Sequence, residues 1–490
     1  MRLTELMAGV EWTDMKDGRL VDADIHGLSA DSRKIEPGFL FAALPGAETD
    51  GRDYIADAVK RGAVAVLSPP GTEIGTEIAV DGPPVALLTH DMPRRRYAEL
   101  AARFHGGQPA HIAAVTGTNG KTSVVDFTRQ LWTRLGSPAA SLGTLGLVAP
   151  GRRTQGGLTT PDAADLHATL ADLAAEGVDH AAIEASSHGL DQFRLDGVQV
   201  SVAAFTNISR DHLDYHGSMD AYLGAKARLF SELLQAGGTA VLNADDPHWE
   251  KLLAGRDVRS LTYGWAGNDV ALEDCQAHGD SQRLTLEIFG SGVEIDFPLI
   301  GDFQVMNALC ALAIVIAGGA EPNAALQGLV TLEPVAGRMQ LAARLENDAA
   351  IYVDYAHTPD ALRRVLAALR PHASGALQVV FGCGGDRDTG KRPEMGRIAA
   401  RLADRVIVTD DNPRTEDAGA IRGAIMEAAP GAREIGDREQ AIFEAVSGLG
   451  AGDILVIAGK GHEQGQIVGA EIKPFDDLEV ARRAARGVDQ

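Results

Sequence analysis

The sequence predicts an α/β protein of three domains, and three observations carry that prediction. Its 490 residues exceed what one core organises, at roughly 100–200 residues per domain. Apolar runs of strand length alternate with helical stretches through most of the chain, the pattern that builds parallel sheets. The texture also changes near residues 90 and 337. We therefore expect a small N-terminal α/β domain at 1–90, a central, mostly parallel sheet with helices on both faces at 91–336, and a C-terminal doubly wound, Rossmann-like domain at 337–490. With 45% hydrophobic residues, each part can bury a core of its own.

The first domain reads as short apolar runs, Phe39–Leu44, Ala63–Leu67 and Val85–Leu88, broken by Gly and Pro, with a helix over Asp53–Arg61. A charged, Ala-rich pattern predicts a helix over Arg94–Phe104, ending before Gln108-Pro109. Strands are then expected at Ile112–Thr116, Ala139–Leu142, His180–Glu184, Val200–Thr206 and Thr239–Asn243, with helices at Lys121–Leu135, Ala163–Glu176, Met219–Ala236 and Val305–Ala317. Between Asp269 and Leu299 the pattern turns to period two, which predicts an antiparallel appendage. The third block repeats strand and helix, with strands at Ala350–Asp354, Leu377–Gly382, Arg405–Thr409 and Asp453–Ala458.

Composition excludes several classes of function. Lys plus Arg total 45 against 68 Asp plus Glu, and the resulting charge of −23 repels polyanions, so nucleic acid is not the expected partner. Cys275, Cys310 and Cys383 are far apart with no CxxC pair, which builds neither a zinc knuckle nor a disulfide framework and fits a reducing compartment. Glu5, Glu11 and Asp14 interrupt the apolar run that a secretory leader needs. The longest uncharged apolar stretch, Ala308–Ala320, falls short of the roughly 20 residues that cross a bilayer. The expectation is a cytoplasmic protein without membrane insertion, and a monomer.

The strongest local signal is the apolar run His111–Thr116 followed by Gly117-Thr118-Asn119-Gly120-Lys121-Thr122-Ser123 and a helix. Strand, glycine turn and helix N-terminus together make a P-loop-type phosphate cradle. Backbone N–H groups face the anion, Lys121 neutralises β- and γ-phosphates, and the Thr122 hydroxyl can ligate Mg²⁺. Val115 stands where the common pattern has its first Gly. Polar clusters also end two other strands, at Glu184 with Ser186-Ser187-His188, and at Thr206–His216. Doubly wound sheets bind ligands at such strand ends, and Glu184 and His212 can add oxygen and nitrogen to a cation already held by phosphate. Lys226, read from its own segment, is an exposed lysine on an amphipathic helix.

In the third block, Gly382–Asp388, Asp410–Arg414 and Gly459–Glu463 each follow a strand, so three polar loops share one end of a sheet. Arg387 and Arg414 suit carboxylates, Asp411 and Glu463 suit an ammonium, and the four together complement an amino acid. Pro413 fixes its own φ and restrains Asn412, which makes a stiff presenting loop.

These residues resemble the Mur ligase family, which joins amino acids to the growing peptide of the bacterial cell-wall precursor. The likeness runs nearly the whole length. It rests on Asp31-Ser32-Arg33, Asp50-Gly51, Thr116–Thr122, Thr159-Thr160-Pro161, Glu184 with Ser186–His188, Ser209–His216, Gly337-Arg338-Met339, Asp354–Pro359, Gly382–Asp388, Asp411–Arg414 and Gly459–Glu463. The chain departs from residues frequent in the family at Ala47, Leu158 and Gln340.

The resemblance implies an ATP-dependent amide ligase that adds meso-diaminopimelate to a UDP-N-acetylmuramoyl dipeptide through an acyl phosphate. By the same resemblance, Ser32, Thr159, Thr160, Ser186, Gln192 and Arg194 contact the UDP-sugar-peptide. Asn307, Arg338 and Asp354 join Gly117–Ser123 on the nucleotide, and Arg387, Asp411, Asn412, Pro413, Arg414, Gly459 and Glu463 receive the diamino acid. Lys226 becomes a CO₂-derived carbamate that, with Thr122, Glu184 and His212, ligates Mg²⁺, and the segment Val335–Gly337 acts as a hinge. A ligase of this architecture using L-lysine or another acceptor, and a nucleotide-gated ATPase switch, stay open as alternatives.

Overall fold

A computed structural model describes residues 1–9, 23–46, 49–73, 84–154, 156–253, 255–279 and 281–488; Glu11, Asp14 and Ala47 lie outside them. The chain divides into two compact units. One comprises Met1–Lys121, Gly136–Leu242 and Asp246–Ser260, the other Thr122–Leu135, Asn243–Asp245 and Leu261–Gln490.

The first unit opens with a four-stranded parallel sheet, β1 (Gly27–Ser29), β2 (Phe39–Ala42), β3 (Ala65–Ser68) and β4 (Ala86–Thr89), in sequential order. Helix Pro93–His105 begins with proline, which gives up an N–H that would have no helical partner. Its Tyr97, Ala98, Leu100 and Ala101 bury against Leu28, Leu40 and Leu67 of that sheet. The strands that follow are β5 (His111–Thr116), β6 (Ala139–Gly143), β7 (Gly146–Ala149), β8 (Arg152–Arg153), β9 (His180–Glu184), β10 (Val200–Phe205) and β11 (Leu234–Asn243). They lie in the order β11-β10-β5-β9-β6-β7-β8. From β11 to β6 the pairing is parallel, which accounts for the unbroken apolar text of β5, buried on both faces. Helix Ala163–Ala175 sets Leu166, Leu170 and Leu173, one stripe at helical spacing, against Ile112 and Ala181.

One predicted helix is too long. Met219–Ala236 is helical only to Arg228, passes through a wide turn at Leu229–Leu233, and becomes β11 at Leu234, which pairs with Val200. The backbone at Gly238 runs so close to the Ser201 carbonyl, 2.9 Å from a notional Cβ, that only glycine fits there. Strand pairing thus overrides the helical text of Leu234–Ala236.

The second unit holds β12 (Arg259–Gly264) and the antiparallel meander β13 (Val270–His278), β14 (Ser281–Ile288) and β15 (Ser291–Phe297), as the period-two text predicts. Its main sheet contains β16 (Gln340–Arg344), β17 (Ala350–Asp354), β18 (Leu377–Phe381), β19 (Arg405–Val408), β20 (Arg433–Glu434) and β21 (Ile454–Ala458). The order is β16-β17-β21-β18-β19-β20, parallel throughout except for the antiparallel edge strand β16. Separate apolar clusters on its two faces, one with helix Pro359–Leu369 and the other with helices Arg438–Ser447 and Asp477–Val488, make it doubly wound. A hairpin of β22 (Gly465–Val468) and β23 (Glu471–Pro474) completes the unit. The three cysteines are free, and among the described residues no helix is long and apolar enough to cross a membrane.

Candidate active site

β5 delivers the chain into the predicted phosphate loop, where Gly117 and Gly120 hold φ of +145° and +90°. A Cβ at Gly117 would stand 1.9 Å from Thr206 Oγ1, so glycine is required by space as well as by backbone angle. The end of β10 braces the loop. Thr118 N donates to Asn207 O (2.8 Å), Asn119 N to Asn207 Oδ1 (3.1 Å), and Thr206 Oγ1 to Asn119 O (2.6 Å). The loop is thus preformed.

Two lysines converge on one acceptor. Lys121 Nζ donates to Gly117 O at 2.8 Å and Thr118 O at 2.9 Å, while Lys226 Nζ donates to the same Gly117 O at 2.9 Å. Lys226 is only 1% exposed, with its ammonium 4.3 Å from the centre of the Tyr222 ring. The expectation of an exposed lysine is therefore wrong: the polar text of helix Met219–Arg228 hides a residue that points at the loop. Burial, and then the positive charge of Lys121, push the Lys226 amine well below its ordinary value, toward a neutral nucleophile.

Glu184, at the end of β9, is buried and accepts from Thr144 N (2.8 Å) and Thr144 Oγ1 (3.2 Å). Thr160 Oγ1 donates to Glu184 O (2.7 Å) and meets Ser186 Oγ at 3.0 Å, and Thr159 Oγ1 accepts from Thr144 at 3.3 Å. Arg194 donates to Thr160 O and Gln192 Oε1 at 2.8 and 2.7 Å. Five of the predicted UDP-sugar-peptide contacts therefore form one bonded group. Gln192 and Arg194 also line a cavity of about 180 Å³ with Ala30, Leu44, Arg94 and Tyr97. Ser32 is buried in the turn Ser32–Lys34, capped by Asp31.

His212 takes a left-handed backbone, φ +52°, and its ring meets His188 edge-on at 4.7 Å. Burial, together with the charges of Lys121 and Lys226, holds it below its usual value, and His188 is lowered to about 4 by burial and its histidine neighbours. Among the described residues no three His, Cys, Asp or Glu side chains stand where they could hold a metal ion. Mg²⁺ prefers oxygen donors, and the Glu184 carboxylate and the Thr122 hydroxyl are of that type.

In the second unit, Arg338 Nη2 donates to Thr122 Oγ1 (3.3 Å), Gln304 Nε2 to Arg338 O (3.3 Å), and Asn307 Nδ2 to Gln304 (3.4 Å). Asp354 accepts from Met339 N (2.7 Å) and Ala356 N (2.8 Å), and burial, opposed by Arg338, raises its carboxyl. Thr122, Asn307, Arg338 and Asp354 are thus assembled around one strand end.

The three polar loops of the main sheet are also laced together. Arg414 Nη1 donates to Gly385 O (2.8 Å), and Gly385 N to Asn412 O (2.9 Å). Asn412 Nδ2 donates to Glu463 Oε2 at 3.0 Å. Asp411 Oδ1 is buried without a hydrogen-bond partner. Gly459, with φ +122°, brings the backbone to within 3.9 Å of Asp411 Oδ1, measured from a notional Cβ. Arg387 stands exposed, donating to Asp386 O at 3.0 Å.

Three family models match the chain in register with these clusters: "Mur ligase family, catalytic domain" over 24–105, "Mur ligase middle domain" over 115–315, and "Mur ligase, glutamate ligase domain" over 337–461. The chain belongs to the Mur ligase family. A Brucella melitensis protein named UDP-N-acetylmuramoyl-L-alanyl-D-glutamate–2,6-diaminopimelate ligase is 50% identical, covering 100% of this chain and 99% of its own. A Caulobacter vibrioides protein of the same name is 52% identical over 96% and 97%. A solved structure of a ligase of that name is 35% identical with a TM-score of 0.71, covering 99% of both chains. At 18% identity, a MurF ligase of Thermotoga maritima in complex with ADP shares the fold, with a TM-score of 0.62 over 94% of this chain and 96% of its own.

Several residues of this Mur ligase's clusters escaped the sequence reading. Thr144 holds Glu184, Asn207 and Tyr222 brace the phosphate loop, and Tyr355 stacks on Arg338 at 4.3 Å. Thr144 and Tyr222 have partners remote in sequence, so no local signal marks their roles. Asn207, Tyr355 and Lys460 lie inside the motifs Thr206–His216, Asp354–Pro359 and Gly459–Glu463, but those motifs alone do not reveal what they touch; the buried ammonium of Lys460 meets both Asn412 and Glu463.

Proposed function

We propose that this Mur ligase joins meso-diaminopimelate to UDP-N-acetylmuramoyl-L-alanyl-D-glutamate, consuming ATP in the synthesis of peptidoglycan precursor. The observation that carries the reading is the pair Lys121 and Lys226 on the Gly117 carbonyl, one cation for transferring phosphate and one buried amine fit for carbamate formation. The names of the half-identical relatives support the substrates.

In this reading 1–90 binds the UDP-sugar, 91–336 binds ATP and 337–490 receives the amino acid. Gly117–Ser123, Asn307, Arg338 and Asp354 hold ATP, and Ser32, Thr159, Thr160, Ser186, Gln192 and Arg194 hold the UDP-sugar-peptide. Thr122 would hold one Mg²⁺; Glu184, His212 and a CO₂-derived carbamate on Lys226 would hold a second. Bound there, the cations would offset the charge of the transferring phosphoryl group. Lys121 adds its own charge to the same oxygens while the D-glutamyl γ-carboxylate attacks the γ-phosphorus and ADP leaves with the bridging oxygen. Phosphate is then the leaving group when the diaminopimelate amine attacks the acyl phosphate. Arg387 and Arg414 orient the amino acid's carboxylates, and Asp411, Asn412, Pro413, Gly459 and Glu463 its ammonium side. A reaction that consumes ATP fits the cytoplasm, and we propose a cytoplasmic monomer.

The test is phosphate release from ATP with each substrate omitted in turn. The reading requires both the UDP-dipeptide and diaminopimelate. An ATPase switch would release phosphate with neither, and a related ligase would prefer lysine.

A further inference from the structure

Lys460 has a fully buried side chain with three acceptors around it. Its ammonium donates to Asn412 Oδ1 at 2.9 Å and Glu463 Oε2 at 3.3 Å, and it lies 3.7 Å from Asp411 Oδ1, an ion-pair distance. A desolvated ammonium is tolerated only where acceptors enclose it. The same contacts fix the Asn412 amide. Its Oδ1 accepts from both Lys460 Nζ and Ile467 N (3.0 Å), and the flipped amide would set NH₂ against two donors. Asn412 Nδ2 is thereby aimed at Glu463 Oε2.

The backbone carrying Lys460 has little slack. A Cβ at Gly461 would stand 2.8 Å from both Gly337 O and Tyr355 Cβ. Charge points the same way. Asp411 and Glu463 against Lys460 leave one formal negative charge, the complement of one substrate ammonium, because nearby Arg438 is already neutralised by Asp477. Without Lys460 the two carboxylates lose their shared counter-charge, and the Asn412 Oδ1 keeps only the Ile467 N–H to orient it.

We infer that Lys460 is a positioning residue of the diamino-acid site: one buried ammonium orients the Asn412 amide and the Glu463 carboxylate and sets the charge that receives the substrate's ammonium. The inference rests on the reading of these loops as the diaminopimelate site. Lys460→Met is expected to raise the diaminopimelate KM about 30-fold or more, with the KM values of ATP and UDP-dipeptide moving less than about twofold. Lys460→Arg, which keeps the charge, is expected to recover part of the loss. Glu463→Gln combined with Lys460→Met should cost less than the product of the two single effects, because both act on one group. An unmoved diaminopimelate KM, an equal rise in all three KM values, or strict additivity overturns the inference. Should Lys460→Met fail to fold, Lys460→Arg carries the test by itself: raising the diaminopimelate KM alone supports the inference, and leaving it unchanged overturns it. A wild type that ignores diaminopimelate overturns the underlying reading and this inference with it. A wild type that responds, beside an unmoved Lys460→Met, overturns the role of Lys460 alone.

Discussion

Two amines sharing the Gly117 carbonyl make a site of concentrated positive charge in a protein whose net charge is −23. Burial, and then the charge of Lys121, disfavour protonation of Lys226. A neutral amine reacts with CO₂; a guanidinium does not. Lys226→Ala is therefore expected to lose at least about two orders of magnitude in kcat, in line with removal of a ligand that stabilises transferring charge. Short carboxylic acids added to that variant should restore part of the rate by supplying the missing oxygens. A Lys226→Arg enzyme as fast as wild type would sink the carbamate assignment.

Arg414 is the residue on which amino-acid choice should turn. Diaminopimelate carries a second carboxylate that lysine lacks, and a guanidinium left desolvated and unpaired with lysine costs about 2–5 kcal/mol. Arg414→Ala should lower kcat/KM for diaminopimelate about 30-fold or more and narrow its advantage over lysine. Parallel assays with both amino acids decide it, and an unchanged preference removes Arg414 from the role. Arg414 was legible in the sequence because it sits in a motif after a strand. The burial of Lys226 was not, since its segment carries charges on both sides and its cover comes from a loop more than a hundred positions away.

At the scale of elements, the last helix, Asp477–Val488, is fastened by more than its apolar stripe of Val480, Ala481, Ala484 and Ala485. Asp477 pairs with Arg438 at 2.8 and 2.7 Å, and both side chains are wholly buried. Arg438 also donates to the carbonyls of Asp410 and Ala458, so the pair ties the helix to one of the polar loops and to the end of β21. Removing one partner strands the other charge. Asp477→Ala should destabilise by about 3–5 kcal/mol in urea denaturation, and a second change, Arg438→Leu, should recover part of it. A loss below about 1 kcal/mol would show the pair to be expendable.

His167, on helix Ala163–Ala175, meets Asp196 O at 2.9 Å, and burial lowers it from 6.5 to about 4. Above pH 6.5 it is neutral whether the chain is folded or not. As pH falls from 6.5 toward 4, the unfolded chain takes up a proton that the native one refuses, so stability declines across that window by on the order of 3 kcal/mol. His167→Gln should flatten this part of the curve of Tm against pH. An acid slope identical to that of wild type would assign the loss to other groups.

Elements were the most legible scale. Strands such as β9 and β17 coincide with their apolar runs because parallel, doubly covered strands leave no polar interruption. The hairpins β6–β7 and β22–β23 went unseen. They are short, and β22 and β23 are largely exposed, so no apolar period marks them.

For the whole molecule, ligands report on one another through mass action. At about a hundred times its Kd, a ligand stabilises the folded state by about 2.7 kcal/mol, enough to raise the melting transition of a typical domain by about 5 °C. MgATP and the UDP-dipeptide should each produce such a shift, and both together a larger one. A protein shifted by MgATP and indifferent to the UDP-dipeptide would not be the proposed ligase.

The loop that carries Arg414 owes its shape only in part to its own residues, Pro413 among them. Arg414 keeps a φ of +52°, with its N–H on Ile467 O at 3.0 Å and its carbonyl taken by Gly469 N at 2.7 Å. Gln466 Nε2 holds Asp411 O at 2.7 Å, and Gly385 holds Asn412 from the other side. For protein engineering, the transplantable unit is therefore discontinuous. Grafting Asp411-Asn412-Pro413-Arg414 alone into another ligase would move the letters without the turn, whereas segments 382–388, 410–416 and 459–474 carried together would bring the scaffold that bends it.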